Sequence, residues 1–470
     1  MIFTKYYCLY ELDEENYLLL NTLTSAMDII DSTTKKRIDD MVNRKAEITE
    51  ETDAELFKTL KERGYIFSSS EEEHNLVVKM KYISEKLSMN RLNTSFTICP
   101  TMGCNLRCTY CFESDCQHKD YDLLSDAQLN TIFEHIKKSC AEYTRINDEF
   151  KERNKSIGRI PCINLFGGEP LLKRNYDIVC RVFDFAKSIN IPVKIITNGT
   201  NIDTYYNLLS ENKERLSIQI TMDGNKEIHD KRRIRADGSG TFDDICDGID
   251  KVLEIGIPLN LRINVDRENI EGIGDLKKVF DERGWTGNKL FVPYASPVQC
   301  FGEEGSNIMK ESEMLDYLMN KGWYGKEGSF IHHIVATAIG FATNFIDSDK
   351  GIKMWKTTYC EATSGSNYCF APDGTIATCL TYIGKGDNYI GTFDETGVHL
   401  NEDNYRLWVD RNPFKMDKCK DCKYVLMCGG GCPVAALERN KKIDCVVCND
   451  IDNTFKVYIS HVKDRFLCRV

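Results

Sequence analysis

Between residues 93 and 292 the chain alternates short β-rich runs with helical patterns, and this alternation restricts its fold more than any other feature. The runs fall at 94–98, 163–166, 193–196, 216–221, 259–265 and 290–292. Six strands with helices between them imply a parallel sheet, closed as a partial or full α/β barrel. Ligands are then expected at the C-terminal ends of the strands. Beyond residue 351 the pattern breaks into short pieces punctuated by Gly and Cys. A region of that kind is expected to fold around metal.

Before the barrel, the first 70 residues read as a separate module. Two aromatic and apolar runs, 6–10 and 17–20, flank the polar turn Asp13-Glu14-Glu15-Asn16 and predict a hairpin. Two helices follow. Ser32, Thr33 or Thr34 can cap the first, and Thr52 with Glu55 forms a capping box for the second. Gly64 ends that helix, Tyr65-Ile66-Phe67 returns as a strand, and Ser68 to Glu73 reads as a linker. This is the outline of a winged helix, yet residues 1–90 hold 12 basic against 18 acidic side chains. With a formal net charge of −11 for the whole chain, nucleic acid and anionic membrane surfaces are poor partners.

The chain has 21 Cys and only 8 His. Its first residues show no basic segment followed by an apolar run, so no secretory signal is expected and the thiols are expected reduced, in a cytoplasmic protein. The longest uncharged stretch, 329–346, contains His332, His333, Thr337, Thr343 and Asn344 and reads as a buried helix, not a membrane span. Cys104, Cys108 and Cys111 place three thiols within eight residues, just past the first barrel strand. Three ligands on one loop can hold three irons of a [4Fe–4S] cube and leave the fourth open. The alternative is a partial zinc site, for which no fourth ligand stands nearby.

With Tyr110 before the third Cys, this loop resembles that of the radical S-adenosylmethionine (SAM) enzymes. The resemblance covers about 93–292. It implies that the open iron chelates the amino and carboxylate groups of SAM, and that reduction yields methionine and a 5′-deoxyadenosyl radical. Phe166-Gly167-Gly168-Glu169-Pro170 resembles the element that meets the methionyl amino group. Ile196-Thr197-Asn198-Gly199-Thr200 and Thr221-Met222-Asp223-Gly224 end the third and fourth strands. By the same resemblance Tyr110, Gly167, Gly168, Glu169, Thr197, Asn198, Thr221 and Arg233 are the cofactor-binding set. For the last two, a capping Thr and a solvated basic cluster, Lys231-Arg232-Arg233-Arg235, are the plain alternatives.

Cys360, Gly374, Cys379, then Cys419, Cys422, Cys428 and Cys432, and later Cys445 or Cys448, resemble the seven-cysteine SPASM pattern. This implies two auxiliary [4Fe–4S] clusters, three in all. One takes Cys360, Cys379, Cys432 and, as a candidate, Cys369; the other takes Cys419, Cys422, Cys428 and one of Cys445 or Cys448. A pair of structural zinc sites would use the same thiols. Cys8, Cys99, Cys116, Cys140, Cys162, Cys180, Cys246, Cys300 and Cys468 read as core or reduced surface thiols.

The expected architecture is therefore α/β: a winged-helix module and linker at 1–90, a partial (β/α)6 TIM-like radical SAM barrel with a following helix at 91–345, and a SPASM domain at 346–470. The N-terminal module resembles the leader-recognition domains of peptide maturases, which capture a leader by strand addition. The implied enzyme is a radical SAM oxidoreductase that modifies a ribosomally made precursor peptide, with thioether formation favoured. It would draw on an external donor such as flavodoxin or ferredoxin. Carbon–carbon cross-linking, epimerisation and formylglycine formation are the alternatives within the family. Sulfatase-maturing members carry an Asp directly after the Cys equivalent to Cys379, where this chain has Leu380. A non-enzymatic iron–sulfur or zinc peptide-binding protein is the alternative of another class.

Overall fold

A computed structural model of the chain describes residues 1–88, 92–114, 123–152, 160–302, 305, 307–347, 356 and 358–468. The junction expected between 90 and 91, and Cys116, lie outside the described residues.

The N-terminal part holds two small sheets. β1 (Ile2–Phe3) pairs antiparallel with β5 (Ile66–Phe67), while β2 (Tyr7–Glu11), β3 (Asn16–Asn21) and β4 (Met27–Asp31) form an antiparallel sheet in that order. The expected hairpin is β2–β3, and Asp13 makes its turn by accepting the Glu15 and Asn16 backbone N–H groups. Helices Ser32–Val42 and Ala54–Glu62 follow, but each is capped by an aspartate instead of the Ser or Thr expected. Asp31 accepts from Thr34 N, and Asp53 from Leu56 N. Asp caps as well as Ser and better than Thr, and the caps stand one residue before Ser32 and one after Thr52.

The expected linker at Ser68 to Glu73 is corrected. Helix Ser70–Ser88 begins inside it with three glutamates in its first turn, where the helix dipole favours negative charge. Glu73, 5% exposed, is tied down by Thr4 Oγ1 at 2.6 Å and Lys5 N at 3.0 Å.

The six barrel strands stand where the alternation places them: β6 (Ser95–Ile98), β7 (Cys162–Leu165), β8 (Val193–Thr197), β9 (Leu216–Thr221), β10 (Leu259–Val265) and β11 (Phe291–Pro297). Neighbours in sequence are parallel neighbours in space. Helices Asp126–Lys151, Tyr176–Ser188, Ile202–Asn212 and Phe242–Ile255 each bury one apolar face in the shared core. The barrel does not close on itself. Beyond β11 lies the short parallel β12 (His333–Ile334), and at the other edge β13 (Asn367–Phe370) joins β6 in parallel. β14 (Thr375–Ala377), β15 (Gly391–Asp394) and β16 (Gly397–Leu400) continue antiparallel, so the C-terminal region extends the barrel sheet.

The uncharged stretch is a helix only over Thr337–Asp347, with β12 ahead of it, which corrects the single helix expected from 329. That helix buries Ala338, Ile339, Ala342, Phe345 and Ile346 and packs against helix Ile451–Val462. It crosses the expected 345/346 boundary, so packing is continuous there. No helix among the described residues is long and apolar enough to cross a membrane.

Candidate functional site

The loop leaving β6 carries Cys104, Cys108 and Cys111, and it is held in place by backbone. Arg107 N donates to Ile234 O at 2.6 Å and Thr109 N to Arg232 O at 2.9 Å, pinning the loop to the segment after helix Lys226–Arg232. On its other flank, Gly168 N donates to Thr101 O and Glu169 N to Gly103 O. A Cβ on Gly168 would lie 2.3 Å from Met102 O and 2.4 Å from Gly103 O. The glycine pair thus lets the thiol loop's backbone close in, a role beyond the ligand approach expected from sequence. Gly168→Ala is expected to cost about 1–3 kcal/mol through overpacking and to lower iron loading at this loop, checked by denaturant midpoint and iron content.

Glu169, 1% exposed, ties the ends of β7 and β8 together. Its Oε1 accepts from Leu171 N at 2.8 Å and Thr197 Oγ1 at 2.6 Å, and its Oε2 from Asn198 N at 2.7 Å. A carboxylate has about four acceptor sites, so one remains, on Oε2. Burial raises its pKa above the usual carboxylate range against the pull of these donors. Asn198 Nδ2 donates to Asn105 Oδ1 at 2.8 Å, joining β8 to the thiol loop.

Arg232 and Arg233 are 4% and 7% exposed, so the solvated-cluster alternative fails for both. Arg233 Nη1 donates to Tyr110 Oη at 2.8 Å, Asn264 Nδ2 donates to the same oxygen at 3.1 Å, and Tyr110 Oη donates to Asp223. Arg232 lies over the Tyr110 ring at 4.8 Å and donates to Asp266. Arg233 Nε is buried without a partner. This is spare donor capacity for an anionic group.

Cys104, Cys108, Cys111, Tyr110, Gly167, Gly168, Glu169, Thr197, Asn198, Thr221 and Arg233 all line one cavity of ≈ 270 Å³ at the strand ends. Every cofactor residue expected from sequence is thus in one place. Burial raises all three thiols, Cys111 to about 12. The cavity also shows residues that sequence reasoning passed over. Arg262 and Asn264 point inward from β10, where the alternation Asn260, Arg262, Asn264 was an available signal. Glu113, 4% exposed, has a bare Oε1, and burial pushes its pKa up to about 8. From the C-terminal region Leu380 and Thr381 complete the wall, and Cys379 Sγ lies 3.2 Å from Thr381 Oγ1.

The other thiols fall into two groups. Cys360, Cys379 and Cys432 lie within electrostatic reach of one another. Cys419 is in reach of Cys422, Cys428 and Cys448. Asn449, beside Cys448, donates to Cys428 Sγ at 3.4 Å, whereas Cys445 gives its carbonyl to Arg411. Cys369 is fully buried among Cys99, Met102, Phe166, Ala371 and Ala377, with Asn367 Nδ2 3.2 Å from its sulfur, and it too lies within electrostatic reach of Cys379. Among the described residues no three His, Cys, Asp or Glu side chains converge on one ion. Of the remaining thiols, Cys8, Cys99 and Cys246 are buried, and Cys468 is exposed.

Residues 98–279 match the model of the Radical SAM superfamily. A cysteine-type anaerobic sulfatase-maturating enzyme of Clostridium novyi (strain NT) is 25% identical over 386 residues, spanning 76% of this chain and 93% of that protein. Among solved structures, anSMEcpe with bound AdoMet superposes with a TM-score of 0.58 at 20% identity, over 80% of this chain and 98% of that one. Streptococcus suis SuiB bound to precursor peptide SuiA superposes with a TM-score of 0.54 at 15% identity, over 95% of this chain and 98% of that one. At these identities the superpositions establish the fold.

Proposed function

We propose that this chain, a radical SAM enzyme whose superfamily domain spans residues 98–279, oxidatively modifies a ribosomally made precursor peptide by joining a Cys sulfur to a carbon of another residue. The observation that carries this reading is the single cavity in which the three-thiol loop, the Glu169 and Arg233 elements and the C-terminal residues Leu380 and Thr381 meet. Cys104, Cys108 and Cys111 would hold a [4Fe–4S] cluster and, with SAM bound beside it, the group would supply radical chemistry able to remove a hydrogen atom from carbon. The spare site on Glu169 Oε2 suits the ammonium of SAM, and Arg233 Nε suits an anionic group. Phe112, Phe166, Ile196, Val298 and Val335 give the same cavity apolar walls.

Closing a thioether removes two hydrogens. One leaves as an atom to the radical, and the other as the thiol proton, with one electron passing to an acceptor. Cys360, Cys379 and Cys432, and Cys419, Cys422, Cys428 and Cys448, would hold two auxiliary clusters that could supply the electron acceptor. Cys369, buried and within electrostatic reach of Cys379, would be the fourth ligand of the first auxiliary cluster. Cys448→Ser is expected to reduce iron from about twelve per chain, while Cys445→Ser leaves it unchanged; iron assay of the reconstituted proteins checks both.

Glu113, with its bare oxygen in the cavity, is proposed to accept the substrate proton. Glu113→Gln is then expected to keep 5′-deoxyadenosine release while lowering cross-linked product by about 10²-fold or more, measured as the ratio of the two products. Peptide entry is assigned to the N-terminal module. β4 is the edge strand of its sheet and borders a groove lined by Ile29, Ile30, Leu56, Leu60 and Tyr65, where a leader could add as a strand. The likeness to SuiB spans this module, since it covers 95% of the chain.

Formylglycine formation is the second reading, favoured by the similarity to the sulfatase-maturating enzyme. Against it, Leu380 occupies the cavity wall where that chemistry calls for an acidic proton acceptor. Incubation with SAM, reductant and a leader-bearing Cys peptide encoded beside this gene separates the readings. Loss of two hydrogens with the Cys closed to alkylation supports the thioether, and conversion of the Cys to an aldehyde supports formylglycine.

A further inference from the structure

Arg411 is a buried cation held by backbone carbonyls. It is 4% exposed, and its guanidinium donates to four backbone carbonyls: Ile443 O at 2.7 Å, Gly429 O at 3.2 Å, Gly430 O at 2.8 Å and Cys445 O at 3.0 Å. The ionisable groups that act on it most strongly are thiols from both auxiliary sets, Cys360 and Cys432 of the first and Cys419 and Cys428 of the second. Gly429 and Gly430 belong to the turn joining Cys428 to Cys432, so one side chain grips the link between ligands assigned to different clusters. That turn is stiff. Gly429, Gly430 and Gly431 all have positive φ, and a Cβ on Gly429 or Gly431 would strike the backbone of Thr358 or Val447.

Burying a guanidinium against neutral carbonyls alone is costly, and thiolates on iron provide the missing negative charge. We propose that Arg411 is the shared counter-cation of the two auxiliary clusters: it holds their adjoining ligands in register and raises the reduction potential of both. The reason is electrostatic. Cluster potentials follow local net charge and hydrogen bonding, and a fixed positive charge in a buried setting stabilises the form that has gained an electron. The inference rests on the auxiliary-cluster assignment above, and it names what would prepare those clusters to take the substrate's electron.

The test is an EPR-monitored redox titration of the reconstituted full chain, with iron content measured first. Arg411→Gln keeps amide donors for the carbonyls and removes the charge, while Arg411→Lys keeps the charge. With about twelve irons retained, the Gln variant is expected to shift the reduced-to-oxidised ratio of the auxiliary clusters about tenfold toward oxidised at fixed potential, about 59 mV for one electron. The Lys variant is expected to stay within about threefold of the original chain. An unshifted Gln variant with full iron overturns the proposal. So does equal loss of auxiliary iron from both variants, which would assign Arg411 to scaffolding by hydrogen bonds. About four irons in the unsubstituted chain would overturn the cluster assignment itself, before any variant is compared.

Discussion

Cys108→Ala is expected to abolish 5′-deoxyadenosine release under strong reductant and to reduce iron from about twelve to about eight per chain. Cys108 sits at the centre of the three-thiol loop, between strand-end residues that all face one cavity. Its backbone surroundings are fixed by Arg107 and Thr109, which bond to Ile234 and Arg232 across the site. An alanine leaves those bonds intact, so the fold and the auxiliary thiols should be untouched. The measurement is anaerobic chromatography of SAM cleavage products beside an iron assay. Retained cleavage, or loss of all twelve irons together, would contradict the separation of this site from the C-terminal thiols.

The second large effect is expected at Glu169. Three donors converge on its carboxylate from Leu171, Thr197 and Asn198, and removing the acceptor leaves them buried and unpaired. Glu169→Ala should cost about 3–5 kcal/mol, the usual range for breaking a buried charged network. Glu169→Gln should cost about 1–3 kcal/mol, because its amide sets a donor against another donor on at least one side. Both substitutions also remove the charge whose free site is assigned to the SAM ammonium, so SAM affinity should fall even in the better-folded Gln variant. Denaturant midpoints give the first effect and equilibrium binding of SAM the second. A Gln variant that binds SAM normally would make Glu169 a purely structural clamp.

The barrel was readable because its strands and helices are local patterns, and the thiol loop because ligand spacing is a local pattern too. Less legible were features made by distance. β13 extends the barrel sheet past β6 by pairing Asn367 with Ser95, a partnership that neither segment announces. Tyr110, Asp223, Arg233 and Asn264 meet from four separate segments, so only Tyr110 and Arg233 were nameable, and those by resemblance. Ser68 to Glu73 looked like a linker because serines and glutamates suit loops. They suit the start of a helix as well, and Glu73 becomes buried only because Thr4 and Lys5 lie against it. Glu113 lay two residues past Cys111, overlooked because nothing in the sequence says that a carboxyl there is buried and unpaired.

The most direct test of the central claim is the stoichiometry between SAM cleavage and peptide oxidation. The Cys peptide bearing its leader is incubated anaerobically with the reconstituted enzyme, SAM and reductant, and 5′-deoxyadenosine and peptide mass are measured in the same samples. One 5′-deoxyadenosine for each loss of two hydrogens, with the modified Cys no longer alkylatable, is the result expected of an oxidative thioether-forming enzyme. A peptide mass unchanged in H2O but raised by deuterium uptake in D2O would contradict it and show a redox-neutral reaction.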